Sequence, residues 1–311
     1  MSTTTLLLAV ALGASATFAG DLQARRTDPR RPVVLVVHGR GFLSRDSAVF
    51  RREALAALRE GAFRATGDSL LEEGDVRLVW YADLMDARHR EARSLTSCDN
   101  GAGSSEEGSP AGFFLRSLAQ MVSEIVEDSA SDSGDGARDI AGDLRFVGDR
   151  AVRCSAQARV ADALTLAHAE GRPVIIVAHS LGALVTWGYL EHRDARDMPE
   201  IERLVTAGSP IGNDGLRELL IGDTARVSLP RGVHSWVNAV NTDDGLAARI
   251  VASDATLPGV TDILTAHTSE SAHDLLGYLR DSSTAMAVVE AWCTAAPIRN
   301  RVSGCVALSR Q

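Results

Sequence analysis

The chain has 311 residues, 45% of them hydrophobic, and a formal net charge of −9. This length suffices for one large α/β domain or two smaller ones, and the composition excludes a fibrous or wholly disordered protein. The acidic balance argues against a broad nucleic-acid-binding surface but leaves room for a local basic patch.

The first apolar stretch, residues 6–19, ends in small residues (Ala14-Ser15-Ala16, then Thr17-Phe18-Ala19). This pattern is typical of a secretory signal and is too short to span a bilayer comfortably. No arginine or lysine precedes it, so an N-terminal extension without a targeting role is the alternative. We predict a possible signal peptide at residues 1–20 and an exported protein, periplasmic or secreted, with a cytoplasmic protein as the alternative.

Four cysteines allow two bridges, which suits an exported protein. Cys293 and Cys305 enclose a short loop that a disulfide could close, and Cys98 and Cys154 could form a second pair. Four unrelated thiols are the alternative. No cysteine or histidine spacing matches a metal site, so we predict no metal and no cofactor.

The apolar run at residues 33–37 predicts a strand buried on both faces, as in a parallel sheet. It ends at His38-Gly39-Arg40-Gly41-Phe42. Helical spacing follows at 48–59, with Gly61 at or near the helix end, and residues 75–81 predict a second strand. Residues 94–112 are small, polar and turn-rich, and helix-like stretches follow at 113–126, 140–147 and 154–169. We therefore predict a helical cap insertion at about 94–150.

A third strand, from Pro173, stops at Ala178-His179-Ser180-Leu181-Gly182 and runs directly into a helical stretch at 183–190. A buried strand that turns sharply into a helix at a serine between small residues predicts a nucleophile elbow. An ordinary strand–turn–helix, with Ser180 capping the helix, is the alternative.

Strands are also predicted at 201–207 and 234–240, an irregular segment at 246–272, and a last helix at 283–292. Alternating strands and helices indicate an α/β fold with a mostly parallel sheet flanked by helices. We predict one domain at 33–295 and a C-terminal tail at 296–311.

Polar groups follow several of these strands, at the edge of the sheet where sites form in α/β folds. A serine that attacks an acyl carbon needs a base, an acid that orients the base, and N–H groups that bind the oxyanion. Ser180, the Asp243-Asp244 pair, and His267 or His273 follow one another in the order that this architecture uses. Spacing alone does not choose within either pair.

The segments HGRG, AHSLG and the Asp-then-His order resemble the α/β-hydrolase superfamily, on the side of the bacterial lipase- and esterase-like serine hydrolases. The resemblance spans residues 33 to about 292. The run from Trp236-Val237-Asn238 to Asp244-Gly245-Leu246-Ala247 is similar to a W-x-N…D-P-V-A segment of bacterial members, with Gly245 in place of proline.

This resemblance implies an α/β-hydrolase fold, with Ser180 as nucleophile, Asp244 as acid and His273 as base. His273 is favoured because it precedes a Gly-Tyr-Leu segment; Asp243 and His267 are the alternates. Backbone N–H groups of Leu181 and Arg40 would form the oxyanion hole. Gly39 and Gly41 would keep the loop backbone accessible, and His38 would orient it. The other histidines are assigned to surface or packing positions: His89, His168, His179, His192 and His234.

The sequence thus predicts a serine hydrolase that cleaves an ester or thioester through an acyl-enzyme. A non-catalytic, ligand- or partner-binding protein of this fold and an acyltransferase are the alternatives. We expect a small-molecule or lipid-like acyl substrate, no nucleic-acid partner and no integral membrane span.

Overall fold

In the part of the chain that the structure describes, six parallel strands form the centre of the protein. The computed structural model describes residues 31–86, 149–193, 200–214, 227–251, 256–267, 271–296 and 305–306. The strands are β1 (Val33–Val37), β2 (Val76–Val79), β3 (Val174–His179), β4 (Ile201–Ala207), β5 (Trp236–Asn241) and β6 (Val260–Thr265). Their order in the sheet is β2-β1-β3-β4-β5-β6, and every neighbouring pair is parallel.

Strand β1 lies between β2 and β3, so the sheet grows in one direction first and then in the other. Such a reversal opens a crevice at the carboxyl ends of the two central strands, and α/β proteins bind ligands there. In this chain the crevice lies between the segment that follows Val37 and the segment that follows His179.

Helices cover both faces of the sheet. They are α1 (Ser47–Thr66), α2 (Ala82–Met85), α3 (Arg150–Ala169), α4 (Leu181–His192), α5 (Leu275–Arg280) and α6 (Ser282–Ala295). Val33, Leu35 and Val37 pack with α3 and α4, whereas Val34 and Val36 pack with α1, α5 and α6. All five side chains are fully buried, as their continuous apolar run predicts.

Helix α1 continues seven residues beyond its predicted end, because Gly61 does not break it. A Cβ at Gly61 would lie 2.5 Å from the carbonyl oxygen of Leu279. The glycine therefore lets α5 approach α1 closely. Helix α3 starts at Arg150, earlier than predicted, because the Asp149 carboxylate accepts hydrogen bonds from the N–H groups of Ala151 and Val152.

Strand β6 lies within residues 246–272, which the sequence analysis treated as irregular. That prediction was wrong because β6 is an edge strand with a mixed surface. Thr261 and Leu264 are exposed, and only Val260 and Thr265 at its ends are buried. The segment therefore has no continuous apolar run that could reveal it.

A disulfide joins Cys293 of α6 to Cys305, as the sequence suggested. Cys154 is also disulfide-bonded, and its predicted partner, Cys98, lies outside the described residues. The predicted signal peptide at 1–20 lies outside them too, as does the cap insertion up to residue 148; residue 150 already belongs to α3. No helix within the described ranges is long and apolar enough to cross a membrane.

Candidate active site

The turn between β3 and α4 holds Ser180 in a strained backbone conformation. Its φ is 53° and its ψ is −125°, which a residue with a side chain rarely adopts. Gly182 makes the turn possible, because a Cβ there would lie 2.2 Å from the carbonyl oxygen of His38. The serine hydroxyl thus stands between the ends of β1 and β3, at the crevice.

Three side chains from separate segments meet at this turn. The Ser180 Oγ lies 2.8 Å from Nε2 of His273, and Nδ1 of His273 lies 2.9 and 2.8 Å from the two carboxyl oxygens of Asp244. A carboxylate only accepts hydrogen bonds, so Nδ1 carries the imidazole proton. Nε2 of the neutral ring is then the acceptor for the Ser180 hydroxyl, which is the arrangement a general base requires.

Asp244 is nearly fully buried, with 4% of its surface exposed. Burial raises the pKa of its carboxyl group, but the hydrogen bond from His273, the electrostatic attraction of that imidazole and the hydroxyl of Tyr278 lower it. The net result is a pKa below the usual value, so the group is ionised at neutral pH. A buried carboxylate in contact with Nδ1 can stabilise an imidazolium that forms during a reaction.

The alternates, Asp243 and His267, are not part of this contact. Asp243 is exposed, and its backbone N–H donates to Oδ1 of Asn241. Nδ2 of Asn241 in turn lies 3.3 Å from Nε2 of His267, whose ring packs edge-on against Tyr278 with centroids 4.7 Å apart. The structure brings Ser180 together with Asp244 and His273.

Asn238 of the W-x-N segment holds the loop that carries Asp244 in place through hydrogen bonds. Nδ2 of the buried Asn238 donates to the Ala248 carbonyl at 3.0 Å and to the Asp262 carboxylate at 2.8 Å. That carboxylate also accepts hydrogen bonds from the backbone N–H groups of Ile250 and Val251. Strand β6, through Asp262, therefore fixes the residues that follow Asp244.

The HGRG segment lies directly over the serine. A Cβ at Gly39 would be 2.8 Å from the Cβ of Ser180, so only glycine fits there. Gly41 has a φ of 81°, which also favours glycine. Arg40 lies between them, and Leu181 begins helix α4, where the first N–H groups have no partner within the helix. The two predicted oxyanion donors are therefore close to the serine in sequence or in space. Arg40 follows Gly39, which lies over the serine, and Leu181 directly follows Ser180.

His38 holds this loop in place as a buried neutral imidazole. The backbone N–H of Tyr81 donates to its Nε2 at 3.2 Å, so the proton is on Nδ1, which donates to the Gly39 carbonyl at 2.6 Å. The ring stacks on Tyr81 with centroids 4.2 Å apart. Burial lowers the pKa of His38 to about 4, against a smaller opposing effect of the Gly39 hydrogen bond.

Two further residues contact this site without having been predicted from the sequence. His179, assigned to packing, is buried, and its Nε2–H donates to the His273 carbonyl at 2.8 Å. Burial, and then the nearby His273, hold the pKa of His179 well below its usual range. Tyr278 donates to Asp244 at 2.7 Å. The Gly-Tyr-Leu segment after His273 could have drawn attention to Tyr278, but the sequence does not show that the tyrosine contacts Asp244.

The other histidines that the structure describes, His168 and His234, lie outside the site. His168 is exposed, and exposed His234 lies between Glu200 and Glu202. His89 lies outside the described residues, and the side chain of His192 is not described. Within the described ranges, no three histidine, cysteine, aspartate or glutamate side chains cluster closely enough to hold a metal ion.

Comparison with known proteins adds no family to this geometry. No protein-family model matches the chain, and no curated protein matches it either. Its function is therefore inferred from the chemistry and geometry of the site itself.

The pH dependence of stability tests the buried state of His38. Unfolded histidine takes up a proton below about pH 6.5, whereas folded His38 does so only near pH 4. The unfolded state thus binds more protons between these values. Keeping His38 neutral therefore costs the folded state nothing above about pH 6.5. As the pH falls from 6.5 towards 4, the free energy of unfolding decreases by about 3 kcal/mol, because the unfolded state gains the proton first.

Urea denaturation near pH 7 and near pH 4.5 measures this loss. We expect the loss to be smaller by about 2 to 3 kcal/mol in His38→Gln, since glutamine takes up no proton. His168→Gln, which removes an exposed histidine, is the matched control and should keep the parent's pH dependence. An equal loss in His38→Gln and the parent would contradict the assignment.

Proposed function

We propose that this protein is a serine hydrolase of the α/β-hydrolase fold that cleaves an ester or thioester through an acyl-enzyme. The observation that carries the proposal is the Ser180–His273–Asp244 contact at the strained turn after β3. Nucleophile, base and acid each lie within hydrogen-bond distance of the next, as acyl transfer to a serine requires. The all-parallel sheet, with the serine at its topological switch point, supports the same fold.

In the proposed reaction, Ser180 attacks the acyl carbon as its proton passes to Nε2 of His273. Asp244 stabilises the resulting imidazolium through Nδ1. The backbone N–H groups of Leu181 and Arg40 bind the developing oxyanion. His273 then donates its proton to the leaving alcohol or thiol, and a water activated by the same imidazole hydrolyses the acyl-enzyme.

The backbone at Ser180 argues against a protein that only binds a ligand. A positive φ at a non-glycine residue costs about 1 to 3 kcal/mol and persists where the surrounding structure enforces it. Such strain is found at ligand clamps as well as at active sites, but a nucleophile has a specific use for it, since the turn presents the hydroxyl to both the base and the substrate.

We also propose that the protein is exported, periplasmic or secreted, as the N-terminal apolar stretch suggests. The Cys293–Cys305 bridge and the bonded state of Cys154 support this, because disulfides persist in oxidising compartments. The substrate would be a small-molecule or lipid-like acyl compound.

Replacing Ser180 by alanine tests the nucleophile. Hydrolysis of a short p-nitrophenyl ester should fall by about 10³-fold or more, and labelling by a fluorophosphonate probe should disappear. Ser235→Ala changes a half-buried serine at the opposite edge of the sheet and serves as the control, with labelling equal to the parent. Ser180→Ala that is still labelled like the parent would exclude Ser180 as the nucleophile.

Two matched pairs of variants test the base and the acid. His273→Ala should lower kcat by about 10³-fold or more, because no group remains to take the serine proton, while His267→Ala should keep most of the activity. Asp244→Asn should be far less active than Asp243→Asn, because an amide cannot stabilise the imidazolium. Steady-state kinetics on one ester compares all four. If His267→Ala and Asp243→Asn were instead the inactive variants, the assignment would be wrong.

N-terminal sequencing of protein recovered from the native host tests export. If the signal is removed, the mature chain should begin near Gly20 or a few residues earlier. Soluble cytoplasmic protein that starts intact at Met1 or Ser2 would contradict the proposal.

A further inference from the structure

Tyr278 reaches the site from helix α5, only five residues after His273. Its side chain is completely buried. The phenolic oxygen lies 2.7 Å from Oδ2 of Asp244 and 3.1 Å from the backbone nitrogen of Asn241 at the end of β5. These two contacts place the hydroxyl group between strand β5 and the acid.

The direction of both hydrogen bonds is fixed by chemistry. A backbone N–H only donates, so Asn241 donates to the phenolic oxygen. The ionised carboxylate only accepts, so the hydroxyl proton of Tyr278 points at Asp244. Two ordered chains of hydrogen bonds therefore converge on Asp244, one from Asn241 through Tyr278 and the other from Ser180 through His273. Such chains polarise each successive bond in a low-dielectric interior.

The ring of Tyr278 cannot leave this position easily. It packs between His267 and His179, with ring centroids 4.7 and 5.9 Å away. Gly208, at a φ of 55°, lies so close that a Cβ there would be 3.0 Å from Cε2 of the tyrosine ring. The Asp274 carboxylate caps α5 through the N–H groups of Leu276 and Gly277, which fixes the start of the helix that carries the tyrosine.

Both oxygens of the acid are held by this arrangement. Oδ1 accepts a hydrogen bond from the Leu246 N–H at 3.0 Å, and Oδ2 accepts one from Tyr278. The plane of the carboxylate is thereby set with both oxygens within 2.9 Å of Nδ1 of His273. Without the tyrosine hydroxyl, one side of a buried carboxylate would lose a donor and the group could rotate.

We propose that Tyr278 is a positioning residue of the hydrolase, which orients Asp244 and through it His273. This rests on the proposed function. It also gives a physical meaning to the Gly-Tyr-Leu segment after the base: His273 and Tyr278 bind the same carboxylate from one short stretch of chain.

Tyr278→Phe removes the hydroxyl and keeps the ring. We expect kcat for ester hydrolysis to fall about five- to thirty-fold, because a hydrogen bond to a charged group is lost, while KM stays within about two-fold. Tyr189→Phe makes the same change at a buried tyrosine on helix α4 and is the matched control, with kcat close to the parent. Unchanged kcat in Tyr278→Phe would overturn the proposal.

A double-mutant cycle shows whether the tyrosine acts through the acid. In the Asp244→Asn background, Tyr278→Phe should cause little further loss of kcat, because the group that it orients has been neutralised. An equal fold-loss in both backgrounds would mean that Tyr278 affects the reaction by another route, and the proposal would fail.

Proton NMR supplies a readout that does not need turnover. The Nδ1 proton of His273 should give a far-downfield resonance. This resonance is assigned to His273 if it disappears in the Asp244→Asn variant. In Tyr278→Phe the resonance should move upfield, because a carboxylate that is no longer held in place makes a weaker hydrogen bond to the imidazole. A shift further downfield would mean that the hydroxyl only competes with His273 for the carboxylate, and the positioning role would fail. A resonance that does not move would overturn the positioning role. If the parent has no Ser180-dependent activity or labelling, the proposed function fails instead, and the NMR result still tests the contact between Tyr278 and Asp244.

Discussion

The buried carboxylate of Asp244 is the constraint on which the site depends. An ionised group with 4% exposure is stable only if hydrogen bonds replace its hydration. Three donors do so: His273 and Tyr278 from one short stretch that enters α5, and the Leu246 backbone from the loop that carries Asp244 itself. Holding this one charge therefore fixes the loop after β5 and the start of α5 relative to each other, and it places the imidazole beside the serine.

The sheet supplies the second requirement, which is that these parts meet at one edge. All six strands are parallel, so the segments after β1, β3 and β5 emerge on the same side. The order β2-β1-β3 leaves the crevice between the HGRG loop and Ser180. Glycines then allow contact distances that side chains would forbid: Gly39 lies against the serine and Gly182 against the carbonyl of His38.

Two neutral histidines support the site without taking its central role. His38 bridges the end of β1 and the backbone of Tyr81, and His179 holds the carbonyl of His273. Burial lowers the pKa of both, and in His179 this keeps an uncharged ring next to the imidazole that must become cationic in the proposed reaction. A protonated His179 would oppose that change, so its burial and its neutrality serve the same end.

The sequence by itself determined those elements of the fold that depend on residues close together in the chain. The apolar runs of β1 and β3 predicted buried parallel strands, and the turn at Ser180 was readable because small residues must flank it. Strand β6 could not be predicted, because an edge strand has a mixed polar and apolar surface. The continuation of α1 past Gly61 could not be predicted either, because the need for a glycine there comes from the close approach of the Leu279 carbonyl in α5. The amino-acid order alone left His267 and His273 equal in spacing. Only the tertiary structure placed one imidazole beside Ser180 and the other behind the ring of Tyr278, because contacts between residues some ninety positions apart are set by how the strands pack.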